Sequence, residues 1–103
     1  MKEINSMEEF DNFIKENDNA VVDFWAQWCG PCRMMLPLLE SIQAETNKVA
    51  FAKVNIDDNQ DITERFGITS IPYLIKFTGG KQDNINVGAT SRSTLEKFCG
   101  INE

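Results

Sequence analysis

Apolar and polar positions along the chain follow two periods, and the switches between them mark its elements. Residues 2–5 form a short candidate strand. Ser6 and Glu9 then stand at capping-box spacing, with Ser6 as N-cap and Glu9 at the third helical position. Met7, Phe10, Phe13 and Ile14 follow at helical spacing and predict a helix with one core face. Asn17-Asp18-Asn19 ends it in a turn. Residues 20–25 are almost continuously apolar, as in a central strand buried on both faces, and Asp23 interrupts them. A helix is predicted over about residues 31–46, with Met35, Leu38, Leu39 and Ile42 on one face. Pro37 lies inside it and should kink it, because it removes a backbone hydrogen bond and clashes with the preceding turn. Residues 49–56 read as a strand, and Asp57-Asp58-Asn59 as the cap of a short helix ending near Gly67. Residues 73–77 and 82–87 are two strands joined by the turn Thr78-Gly79-Gly80-Lys81. Ser91 opens a last helix that turns Leu95, Phe98 and Cys99 inward.

The predicted order is β-α-β-α-β-α-β-β-α. Alternation of strand and helix gives parallel pairing with helices on the sheet faces, and the last two strands add an antiparallel hairpin. The chain is therefore α/β, with a central mixed five-stranded sheet flanked by four helices. Its 103 residues suit a single domain over 1–103. No repeat, linker or low-complexity segment interrupts it.

Composition narrows the chemistry. A net charge of −6 argues against nucleic acid as a partner. The absence of histidine removes Ser-His, Cys-His and His-metal sites together. Three cysteines are too few for a disulfide-stapled miniprotein. No apolar run approaches a membrane span, and residues 1–9 carry no secretory-signal pattern. A cytoplasmic location is the expectation.

The candidate chemistry lies in Trp28-Cys29-Gly30-Pro31-Cys32, where the apolar strand passes through a turn into a helix. A helix start offers unpaired N–H groups and the positive end of the macrodipole, which favour a thiolate. Pro31 pre-sets a helical φ, and Gly30 lets the backbone turn close to the sulfur. A C-x-x-C pair here reads as a redox site. Cys29 comes first and is the expected nucleophile; Cys32, one turn in, is the expected resolving thiol. A structural zinc site needs about four ligands, and only Cys99 lies beyond the pair, so that alternative is short of donors.

The chain resembles the thioredoxin family from end to end. The residues that carry the likeness are Val22-Asp23-Phe24-Trp25-Ala26, Trp28-Cys29-Gly30-Pro31-Cys32, Ala52-Lys53-Val54-Asn55-Ile56-Asp57, Gly67-Ile68, Ile71-Pro72 and Val87-Gly88-Ala89. The resemblance implies the thioredoxin fold and a protein-disulfide reductase that works by dithiol–disulfide exchange. It implies recharging by an NADPH-dependent thioredoxin reductase and disulfide-containing target proteins as substrates. Exchange needs no bound cofactor and no metal. A monomer is expected.

Further roles follow from the resemblance, each beside a plainer alternative. Asp23 would be a buried acid/base for Cys32; the alternative is a structural carboxylate paired with Lys53, which would otherwise tune it. Pro72 would be cis against the cysteines, with Ile71 offering its backbone to an extended substrate; most X-Pro bonds are trans. Trp28, Gly30, Pro31, Gly88 and Ala89 would frame the same surface, the alternatives being core packing for Trp28 and a plain turn at Gly88. Trp25 and Met35 are assigned to the core, and Met34 is left open. Cys99 reads as a small buried apolar residue, with a regulatory thiol as the alternative. Tyr73 and Gln60 depart from the family pattern, and a phenol at Tyr73 is a candidate to narrow the groove or add a stacking contact. Two rival functions remain: an oxidant or isomerase of the same fold, disfavoured by Gly30-Pro31 between the cysteines, and a non-enzymatic partner-binding subunit.

Overall fold

The structure is a computed structural model that describes residues 1–101. Its elements are β1 (Lys2–Glu3), α1 (Met7–Glu16), β2 (Asn19–Trp25), α2 (Gly30–Ala44), β3 (Ala50–Asn55), α3 (Gln60–Arg65), β4 (Tyr73–Thr78), β5 (Lys81–Val87) and α4 (Arg92–Cys99), in the predicted order. The five strands form one sheet in the order β1-β3-β2-β4-β5. β3 pairs in parallel with β1 and β2, while β4 pairs antiparallel with β2 and β5. Among the described residues, no helix is long and apolar enough to cross a membrane.

β2 lies at the centre, and its alternation builds both cores. Ala20, Val22 and Phe24 enter one core with Phe10, Phe13 and Ile14 of α1 and Ile62 of α3. Val21 enters the other with Met35, Leu39 and Ile42 of α2 and Leu95, Phe98 and Cys99 of α4. Helices cover both faces, so the strand reads as continuously apolar. The same period of two directs Asp23 and Trp25 to the α2/α4 side.

Local signals are realised with small shifts. Ser6 Oγ accepts the Glu9 N–H at 3.1 Å, but the Glu9 carboxylate reaches back to the N–H of Asn5 at 3.0 Å rather than to Ser6 itself. α2 starts one residue earlier than predicted and ends two sooner, and the chain remains helical on both sides of Pro37. Ser91 caps α4 through the Thr94 N–H at 3.2 Å.

Asn59 corrects an expectation. It precedes α3 but makes no side-chain cap. Its buried amide instead donates to the carbonyls of Ile4 at 3.3 Å and Asn55 at 3.1 Å. Those strand-end carbonyls need a partner once buried, and the amide that satisfies them is not aimed at the helix.

Candidate active site

The redox pair forms where β2 runs out. After Trp25 the chain turns back, and the Cys29 N–H donates to the Ala26 carbonyl at 3.1 Å. Cys29 thereby becomes the N-cap of α2, and its Sγ accepts the Cys32 N–H at 3.3 Å. A sulfur occupies the place where a Ser or Asp oxygen usually satisfies an orphan helix donor. Cys29 and Cys32 are joined as a disulfide, their Cα atoms 5.3 Å apart. Cys29 keeps 6% of its surface exposed and Cys32 none.

Gly30 corrects a second expectation. A Cβ there would meet nothing within 4 Å. Neither a close approach nor a left-handed φ demands glycine at Gly30; its effect is to leave the surface beside the sulfur open. Pro31, which is exposed, is the second helical residue.

Three distant segments complete the site. The Ile71-Pro72 peptide is cis, which sets aside the trans alternative, and the Ile71 carbonyl oxygen lies 4.0 Å from Cys29 Sγ. The Pro72 carbonyl accepts the Gly88 N–H at 2.8 Å, tying the β4 entry to the β5 exit. Gly88 takes φ +89°, a conformation that favours glycine. Ala89 beside it is exposed. Trp28 is not core: 68% of its surface is exposed, and its Nε1–H donates to Asp57 Oδ2 at 2.9 Å. The sequence reads Asp57 as part of the α3 cap, and nothing in its local pattern marks it as the anchor of an indole.

Asp23 lies fully buried on the α2/α4 side of β2. Neither of its oxygens has a hydrogen-bond partner among the described residues. Burial pushes its carboxyl up from 3.8 to about 7, against the opposing pull of the Lys53 ammonium. Lys53 is its register partner on β3, yet makes no bond to it. The ammonium sits instead 4.9 Å from the centroid of the Trp25 ring. Trp25 is therefore only half-buried, at the cysteine cluster, rather than in the core interior to which its apolar strand assigned it.

The remaining candidates separate cleanly. Met35 is core and Met34 is exposed. Cys99 is buried on the α2/α4 side, where burial pushes its thiol up to about 11. Tyr73 does not stack on the cysteines; its ring meets Phe24 edge-on at 6.4 Å and joins the α1/α3 core, because period two turns it to that face. Gln60 is simply the first residue of α3. Among the described residues no group of three or more His, Cys, Asp or Glu is placed to hold a metal ion.

The thioredoxin family model matches residues 2–100. The chain belongs to the thioredoxin family. It is 43% identical over 95 residues to the thioredoxin of Chlamydia caviae, covering 92% of each chain. It is 47% identical over 88 residues to that of Alicyclobacillus acidocaldarius, covering 84% of each. Among solved structures, a thioredoxin of Plasmodium falciparum superposes with a TM-score of 0.92 at 33% identity, with all of both chains covered. The thioredoxin of Fasciola hepatica gives the same TM-score at 31% identity and the same coverage. With the Cys29–Cys32 disulfide at the head of α2, the protein is a thiol–disulfide oxidoreductase of thioredoxin type, a dithiol–disulfide reductase.

Proposed function

We propose that this member of the thioredoxin family is a general protein-disulfide reductase in which Cys29 attacks and Cys32 resolves. The observation that carries the reading is Cys29 Sγ at the α2 N-cap, accepting the Cys32 N–H at 3.3 Å. That donor and the helix start favour a thiolate on Cys29 once the pair is reduced. The Cys29 thiolate attacks one sulfur of a target disulfide. A mixed disulfide forms, and the target's other sulfur leaves as a thiolate that takes up a proton. Cys32 then loses its proton and attacks Cys29 Sγ. The Cys29–Cys32 disulfide forms, the target's second sulfur leaves, and two electrons have passed to the target.

Asp23 is the proton acceptor for Cys32 in this reading. It is a buried carboxyl near neutral on the α2 side of the sheet, and Lys53 is the cation that tunes it. The surface of exposed Trp28, Pro31 and Ala89 and half-buried Gly30, Ile71 and Gly88, backed by buried Pro72, is the docking groove for an extended target segment. The Ile71 backbone would pair with the target by strand addition. No step calls for a metal or organic cofactor. The protein would act as a one-domain monomer in the cytoplasm, recharged by an NADPH-dependent thioredoxin reductase.

The test is a trap. Cys32→Ser, mixed with a disulfide-containing target, should accumulate a mixed disulfide through Cys29, read by non-reducing gel and peptide mass. Trapping through Cys32 in Cys29→Ser instead would overturn the assignment. The reduction potential of the pair should also lie clearly below that of the glutathione pool. A value at or above it would make the protein an oxidant or isomerase.

A further inference from the structure

Asp23, Trp25 and Lys53 are three side chains on one face of two paired strands. Asp23 and Trp25 are two residues apart on β2, and Lys53 stands opposite Asp23 on β3. The ammonium of Lys53 could close on the buried carboxylate beside it, but it does not: both Asp23 oxygens lack a partner among the described residues. It lies over the Trp25 ring, 4.9 Å from the centroid. The indole N–H itself is buried and has no hydrogen-bond partner among the described residues. What Trp25 contributes at this position is its ring face, which attracts a cation through the ring quadrupole.

We propose that Trp25 is a positioning residue for the exchange reaction: its indole face holds the Lys53 ammonium at a set remove from Asp23 and so fixes how strongly that cation acts on the carboxylate. The consequence is a division of labour. Burial raises the affinity of Asp23 for a proton, Lys53 opposes it, and Trp25 keeps Lys53 from swinging out to solvent. The other groups on this face do not substitute for Lys53. Leu74, the β4 partner of Asp23, is apolar. Cys32 on α2 is bound in the disulfide. Lys76 on β4 and Glu96 on α4 act on Cys99 rather than on Asp23. The inference deepens the reading of Asp23 as proton acceptor and rests on it for its effect on catalysis.

The Asp23 carboxyl is followed by carbon NMR in the oxidised protein, where neither active-site cysteine titrates. Trp25→Leu should raise the Asp23 midpoint by roughly half to one pH unit. Lys53→Met should raise it at least as far. In the Lys53→Met background Trp25→Leu should add nothing. An unmoved midpoint in Trp25→Leu, or an equal shift with and without Lys53, overturns the inference; the second result would trace the effect to altered hydration. Should Trp25→Leu fail to fold, Trp25→Phe decides, with a smaller rise that must again vanish without Lys53. The pH profile of the resolving step then separates the two readings. A midpoint that moves while the profile stays put leaves Trp25 in place and removes Asp23 from the proton transfer. A midpoint that stays put while Asp23→Asn slows resolution removes Trp25 alone.

Discussion

The two faces of the central strand are built to opposite standards. On the α1/α3 side, Phe24 joins Phe10, Phe66, Phe77 and Tyr73 in a cluster of tilted and edge-on rings, with centroids 5.1 to 6.5 Å apart. Arg65 closes its rim over Phe10 and Phe66 and pairs with Asp11 at 2.7 Å. The buried residues of this core are all apolar, and its packing serves stability. On the α2/α4 side, one residue along the same strand, Asp23 carries a buried carboxyl with no bond to either oxygen among the described residues. A chain selected only for stability would not keep it, because an unpaired buried polar group costs free energy. One strand thus carries the protein's most conventional packing and its least comfortable group, back to back.

The contrast predicts opposite signs for substitutions on the two faces. Phe10→Ala should cost about 3–5 kcal/mol in denaturant unfolding, because it opens a cavity among three other rings. Disulfide reduction per folded molecule should be unchanged. A stability loss under 1 kcal/mol would mean that the aromatic face is far less tightly packed than its ring contacts indicate.

Asp23→Asn should stabilise the protein above neutral pH. The folded carboxyl binds its proton more tightly than the unfolded one, with the pKa raised from 3.8 to about 7. Its contribution is therefore fully favourable below about 3.8 and is lost as pH rises through about 7. The rise corresponds to on the order of 4 kcal/mol, at about 1.4 kcal/mol for each tenfold change. The buried amide costs ~2 kcal/mol at every pH, leaving a gain of ~2 kcal/mol at pH 8 that crosses zero between about pH 5 and 6 and becomes a loss of about the same size toward pH 4. Urea titrations at the two pH values check it. A variant less stable than the parent at pH 8 would mean that Asp23 is a satisfied structural carboxylate and that the contrast between the faces is false. In parallel, the resolving step should slow at neutral pH.

The smallest effects fall where the faces are alike. Ser6 caps α1 on one side of the sheet and Ser91 caps α4 on the other, each through the N–H three residues on. Ser6→Ala and Ser91→Ala should each cost about 1 kcal/mol. Neither should move the pH profile of exchange, and a shift in that profile from Ser91→Ala would couple α4 to the redox centre.

Much of this was legible in the chain. The capping serines, the helical spacing of Phe10, Phe13 and Ile14, and the strand–turn–helix passage around Cys29 are signals between residues a few positions apart. A sequence displays such signals directly. Asn59 misled because the same local rule held no information about Ile4, 55 residues away, whose carbonyl takes its amide. Tyr73 misled because adjacency to Pro72 suggested the cysteines, whereas strand alternation turned the ring the other way. Trp25 misled because an apolar strand implied burial without naming what would cover the ring.

By itself the sequence determined the order of elements, the two thiols at the head of α2, and a carboxylate on one face of an apolar strand. Those depend on chain geometry alone: 3.6 residues per turn, two per strand repeat, and the fixed φ of Pro31. Tertiary structure decided what each group meets. Strand register set Lys53 opposite Asp23 and left its ammonium on Trp25. Sheet order brought Ile71 across 42 residues to within 4.0 Å of Cys29 Sγ, and loop placement gave the Trp28 indole its partner in Asp57. Register and order are chosen by the burial of the whole apolar set at once, so no window of neighbouring residues contains them.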